Sequence, residues 1–223
     1  MEIKAKSFVL SSRLKKTCWV LLVVSVIVFA VSLLLALRYK STMPELEHTI
    51  FSSINDLPDS LRTAAIVATT ALGSVWAFVG VSIVVTVLKA YRLAWWLALS
   101  VFITYLLSAA TKVLVDRPRP PSLINDTVIR ATESTNGFPS GHTALATILS
   151  LTLFFYLPKG WRWTIVVFWI GITAFTRLYL GVHSPLDIVG GAALGAGVFA
   201  ALRLLPKKIQ IVLRLTDKQG KSK

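Results

Sequence analysis

His142 and His183 each stand where a turn gives way to a long apolar run. His183 precedes Ser184-Pro185, which read as the N-cap and first position of a helix, with Asp187 in its first turn. The Asp187 carboxylate can therefore reach back to one ring nitrogen of His183. Such a bond fixes the tautomer and leaves the other nitrogen's lone pair facing outward, as a nucleophile requires. His142 follows Pro139-Ser140-Gly141. A helix starting there exposes unpaired N–H groups and its positive dipole end, a natural anion site, and Gly141 lets a ligand come close to the backbone. Lys112, Arg119 and Arg177 add cations, and arginine presents a planar fork of donors matched to phosphate oxygens. Each feature alone has a plainer reading: Ser140 as a simple N-cap, Lys112 or Arg177 snorkelling to headgroups, the His-Asp pair as structural. Taken together they describe phosphoryl transfer, whose catalysis is mostly positioning and charge stabilisation.

The elements that must bring these residues together lie in a membrane. The 223 residues are 55% hydrophobic and only 15% charged, against about 25% charged in a soluble domain. A hydrocarbon core about 30 Å thick takes roughly 20 helical residues to cross. Residues 17–37, 63–88, 93–115, 140–157, 163–180 and 185–205 approach that length. The expected fold is all-α: a single membrane-embedded domain, an integral membrane bundle of six transmembrane helices. The first run is too long for a signal peptide, and Arg38-Tyr39-Lys40 follows it in place of a cleavage site, so it is expected to remain as an anchor.

The net charge of +14 follows from topology. With both termini cytoplasmic, the cytoplasmic pieces 1–16, 89–92, 158–162 and 203–223 hold two thirds of the Lys and Arg, and all but two acidic residues lie elsewhere. That is the cationic bias that orients membrane helices, and it argues against nucleic-acid binding. The tail 207–223 is expected to meet anionic headgroups. Between the first two spans, Leu46, Ile50, Ile54, Leu57 and Leu61 recur at helical spacing, which predicts a short interfacial helix. His48 within it reads as solvated, and the single cysteine, Cys18, as a small apolar helix residue. The second long outer segment, 116–139, starts with Pro118, Pro120 and Pro121 and ends in a turn-forming cluster. In this topology Lys112, Arg117, Arg119, Ser140, His142, Arg177, His183 and Asp187 all fall at the outer face.

Lys112 and Arg119-Pro120 with six residues between, then Pro139-Ser140-Gly141-His142, then Arg177, His183 and Asp187, resemble the three-part signature of the type-2 phosphatidic-acid phosphatase superfamily. Thr176 stands before the third-motif arginine where that family usually has serine. The resemblance implies that Lys112, Arg119 and Arg177 clamp a phosphate with Ser140 and the Gly141 backbone. It implies that His183 attacks phosphorus, that Asp187 orients His183, and that His142 protonates the leaving oxygen and then helps activate water. Arg117 matches no signature position and is expected only to support the loop.

The expected protein is a lipid phosphatase with its site facing outward from a bacterial plasma membrane, working without cofactor, metal or obligatory protein partner. Its partners would be the bilayer and a lipid phosphate: polyprenyl (undecaprenyl) diphosphate, phosphatidylglycerophosphate or phosphatidic acid. The first is favoured because an outward site suits recycling of that carrier. A lipid phosphotransferase on the same scaffold is the alternative. A transporter would need polar residues through the apolar bundle middle, and haloperoxidase chemistry belongs to soluble relatives of this anion site.

Overall fold

The computed structural model describes residues 12–87, 91–133, 135–154, 159–206 and 209; the basic tail, apart from residue 209, lies outside them. These residues form helices and turns, with no strand among them. In chain order the helices are α1 (Ser12–Arg38), α2 (Glu45–Asn55), α3 (Arg62–Gly73), α4 (Val75–Val87), α5 (Tyr91–Val115), α6 (Gly141–Leu153), α7 (Arg162–Tyr179) and α8 (Pro185–Leu204). Helices α1 and α8, and the stretch Leu93–Ser122 containing most of α5, are long and apolar enough to cross a membrane. The bent pair α3–α4 would make a fourth such span. This is an integral membrane protein.

Three expected spans differ in detail. The expected span 63–88 falls on two helices, α3 and α4, bent by 51°, and residue 88 lies outside the described residues. The break falls at Ser74, whose backbone is extended (ψ 163°) and whose hydroxyl accepts from the Ala77 N–H at 3.4 Å, starting a new helix. The apolar run continues through the break, so hydropathy alone does not reveal it. The fourth run yields only 13 helical residues in α6, and residues 155–158 lie outside the described ones. Helix α7 spans 18 residues but carries Arg162 and Arg177 near its ends, which lower its hydropathy.

Helix α8 sits at the centre, packed along α1 and α6. A Cβ on Gly191 would lie 2.3 Å from the Ser140 carbonyl oxygen, and one on Gly195 would lie 2.3 Å from that of Ala144. Small residues four apart thus let the α6 backbone lie directly on α8. Below this contact Trp96 and Leu97 of α5, Ile148 and Leu149 of α6, and Leu194 and Phe199 of α8 form the main apolar core. Trp96 meets Phe199 edge-on at 5.6 Å between ring centres, a favoured aromatic geometry.

The predicted α2 exists, and its Leu46 and Ile50 are 74% and 42% exposed. Its inward stripe is different: Glu47, Phe51 and Asn55, one turn apart, are buried. Asn55 Nδ2 donates to Val128 O at 3.0 Å and its Oδ1 accepts from Val128 N at 2.8 Å. Two residues on, Arg130 binds Asp59 Oδ1 and the Asn55 and Leu57 carbonyls at 2.6 Å each, with its guanidinium 4.2 Å from the Tyr179 ring centre. These bonds fasten the middle of the 116–139 loop to the α2–α3 connection and the end of α7.

Candidate active site

At one end of the bundle, α5, the start of α6, the loop between them and the turn before α8 line a cavity of about 460 Å³, with Arg119 and Arg177 bound to its lining residue Glu133. Lys112, Glu133, Gly141, His142 and His183 line it, with Ser74 from the α3–α4 break and Tyr105 and Ser108 from α5.

His183 is fixed first. Its Nδ1 lies 3.3 Å from Asp187 Oδ2, and the same oxygen accepts from the Ser184 N–H at 2.9 Å. The short helical reach expected from Ser184-Pro185 therefore orients the ring, and Nε2 is left toward the cations, 3.3 Å from Arg119 Nη1. His183 is 1% exposed. Burial first, and then the charges of Arg177, Arg119 and Lys112, hold its imidazole well below the ordinary histidine value, which favours the neutral ring with its Nε2 lone pair facing Arg119.

Asp187 is wholly buried and needs a counter-charge. Arg117 supplies it. This residue, which the sequence assigned only to loop support, is 0% exposed and donates through Nη1 to Asp187 Oδ1 at 3.2 Å and to Ser184 Oγ at 2.8 Å. Its Nη2 meets Glu47 Oε2 at 2.9 Å. Glu47 also takes the Leu186 N–H at 3.0 Å. Sequence reasoning missed Glu47, because its only signal is an acidic residue on a helix whose apolar stripe drew attention elsewhere.

The anion pole is assembled from Arg119 and Arg177. Arg119 is held by Thr135 O at 2.6 Å and by the Val182 carbonyl. Arg177, in the last turn of α7, is 3% exposed, and its Nε has no hydrogen-bond partner among the described residues. Between the two guanidinium groups lies Glu133, also unforeseen. It binds Arg119 Nη2 at 2.6 Å and Arg177 Nη2, with its oxygens 4.0 Å from both His142 Nδ1 and His183 Nε2. An isolated glutamate in a loop carries no sequence mark of this position.

Of the remaining predicted site residues, Gly141 and His142 open onto the cavity from the first turn of α6. Ser140 does not line it: fully buried, it caps α6, its Oγ accepting from Thr143 N at 3.4 Å and from the Thr143 hydroxyl at 3.0 Å. Lys112 lines the cavity while its ammonium donates to the Asn136 and Gly137 carbonyls. The structure thus gathers Lys112, Arg119, Gly141, His142, Arg177, His183 and Asp187 at one site, with Ser140 directly behind it. The arrangement is a buried, oriented imidazole facing a two-arginine anion cradle, with a second imidazole opposite.

Comparison with known proteins gives the family. Residues 93–211 match the family model of the PAP2 superfamily, and the chain belongs to that family. The undecaprenyl-diphosphatase of Sulfolobus acidocaldarius is 30% identical over 103 residues, 46% of this chain and 50% of the relative. The chain thus spans about half the length of that curated relative. Aquifex aeolicus LpxE superposes with a TM-score of 0.64 at 24% identity, over 72% of this chain and 96% of that one. The first transmembrane PAP2-type phosphatidylglycerolphosphate phosphatase from Bacillus subtilis gives 0.62 at 21% identity, over 80% of this chain and 94% of that one. At these identities the two solved structures speak for the fold.

Proposed function

We propose that this protein is a membrane lipid phosphatase that cleaves a lipid phosphate or diphosphate through a phosphohistidine on His183. The observation that carries the reading is Glu133. The chain's own carboxylate is gripped by Arg119 and Arg177 within 4.0 Å of both imidazoles, so these side chains are built to hold an anion against His183 Nε2. A phosphate would take that place.

In the proposed reaction Arg119 and Arg177 bind the equatorial oxygens, joined by Lys112 and the Gly141 backbone N–H. Ser140 contributes by holding the α6 N-terminus in place. The His183 Nε2 lone pair forms the P–N bond as the P–O bond to the leaving group breaks, and His142 gives that oxygen its proton. Asp187 stabilises the positive imidazole ring so formed. Water then attacks phosphorus, His142 takes its proton, and the P–N bond breaks to release phosphate and free His183. Cations crowd the anion cradle and would repel a dication, which supports a metal-independent reaction.

A lipid substrate is supported by what adjoins the site. Tyr105 borders both the polar cavity and an apolar groove of about 700 Å³ between α4 and α5, lined by Phe78, Ile83 and Phe102 among others. A headgroup in the cavity would leave its tail in the groove, on the bilayer side. We infer six spans, the α3–α4 pair counting as one and the short α6 and α7 crossing within the bundle, in a single domain with both termini cytoplasmic. The site then opens outward from a bacterial plasma membrane, with no obligatory protein partner. Among lipids we favour polyprenyl diphosphate, which such an outward site suits and with which the Sulfolobus relative's name agrees.

The test is phosphate release by the purified protein in detergent with excess chelator. Polyprenyl diphosphate, phosphatidylglycerophosphate and phosphatidic acid would be compared, with His183→Ala alongside. Release that persists in chelator and disappears in the variant is expected; loss of release on chelation would overturn the metal-free mechanism.

A further inference from the structure

We infer that Glu47 and Arg117 are positioning residues for the nucleophile, so that the catalytic apparatus extends from the matched region 93–211 into α2. The inference rests on the proposed role of His183 and deepens it. Four side chains run in series: Glu47 to Arg117 at 2.9 Å, Arg117 to Asp187 at 3.2 Å, and Asp187 to His183 at 3.3 Å. Glu47 is 8% exposed and the other three 1% or less. Charges buried this far are screened much less than surface ones.

The order of charges decides what the chain does. Were Arg117 bound to Asp187 alone, its guanidinium would neutralise the carboxylate that His183 depends on. Glu47 takes Arg117 through both oxygens, Oε2 to Nη2 at 2.9 Å and Oε1 to Nη1 at 3.3 Å. The guanidinium is thereby balanced from the far side, and Asp187 keeps negative charge directed at the imidazole. That charge strengthens the Nε2 lone pair and stabilises the positive ring of the phosphorylated state. Glu47 also accepts from the Leu186 N–H, and Arg117 donates to Ser184 Oγ, so the pair grips the first turn of α8 on both sides of Pro185. Both side chains lie on the Asp187 side of His183, away from the Nε2 that faces Arg119, so neither is placed to hold the phosphate.

Two measurements decide the matter, made on wild type, Glu47→Gln, Glu47→Asp, Arg117→Gln and the Glu47→Gln/Arg117→Gln double variant. The first is phosphate release, resolved into kcat and KM. Glu47→Gln is expected to lower kcat by about 10- to 100-fold, the range for a misdirected reacting group, with KM unchanged. Glu47→Asp should recover part of the loss. The double variant should be no slower than Arg117→Gln alone, because the Glu47 charge acts through Arg117 while a glutamine amide oxygen can still accept the Leu186 N–H. Multiplied losses, or a raised KM with intact kcat, would overturn the inference.

The second is the side-chain nitrogen NMR signal of His183 in histidine-labelled protein, identified with His183→Gln. It should move in Glu47→Gln while that of His48 stays in place, and move no further in the double variant than in Arg117→Gln alone. An unmoved His183 signal would overturn the inference. Should wild type release no phosphate from any lipid, the functional reading falls, and this signal alone decides the positioning claim.

Discussion

Glu133 makes a test available at the level of one side chain. Its carboxylate competes with any incoming phosphate for Arg119 and Arg177. A ligand's apparent affinity falls by the fraction of molecules whose site is already taken. Glu133→Gln is therefore expected to tighten competitive inhibition by inorganic phosphate several-fold, and a weaker inhibition would mean that Glu133 helps hold the anion. His183 makes a second. With its imidazole held well below the ordinary value, the folded protein keeps the ring neutral where an unfolded chain would protonate it, from about pH 6.5 downward. The folded state therefore loses stability from this group as pH falls below that point, while the nucleophile stays competent. Nitrogen NMR should find His183 unprotonated at pH 6; half-protonation near pH 6.5 would contradict the burial argument. The spacing of Lys112, Arg119, His142, Arg177, His183 and Asp187 made these residues readable from the sequence. Glu133, Glu47 and Arg117 were not readable in their roles, since each acquires its role only from a partner 14 to 70 residues away.

Among the elements, the α6–α8 contact places Gly141 and His142 at the cavity, because the α6 N-terminus lies directly on Gly191. A Cβ there would meet the Ser140 carbonyl at 2.3 Å, whereas one on Gly171 of α7 would meet nothing within 4 Å. Overpacking of this kind costs about 1–3 kcal/mol, and alanine favours an open helix position by roughly 1 kcal/mol over glycine. Gly191→Ala should therefore lower the thermal midpoint in detergent and slow phosphate release, while Gly171→Ala leaves both unchanged or raises the midpoint. Equal behaviour of the two variants would contradict the close packing. Apolar length announced α1, α5 and α8, and turn chemistry announced the starts of α6 and α8. The break at Ser74 was hidden because the apolar run passes through it, and its cause is local backbone direction. Helix α2 was expected from Leu46 and Ile50, yet the face that matters to the site carries Glu47 and Asn55. Periodicity of apolar residues does not report a polar stripe turned inward.

For the molecule as a whole, the bundle brings a polar cavity and an apolar groove together at Tyr105, so that one substrate can have a charged head and a long tail. Composition and charge distribution were enough to read a membrane protein with its polar residues gathered at one end. The groove was not legible, since it forms between α4 and α5 and apolar runs do not report how two helices lie against each other. The central claim is that His183 carries the phosphoryl group between the lipid and water. Its most direct test uses polyprenyl diphosphate labelled with radioactive phosphorus at the terminal position, mixed with protein and quenched in alkali within milliseconds. The account predicts label on the protein that survives alkali, is lost in acid, maps to His183 and is absent from His183→Ala. Phosphate release by wild type with no protein-bound label at any quench time, or release undiminished in His183→Ala, would contradict it.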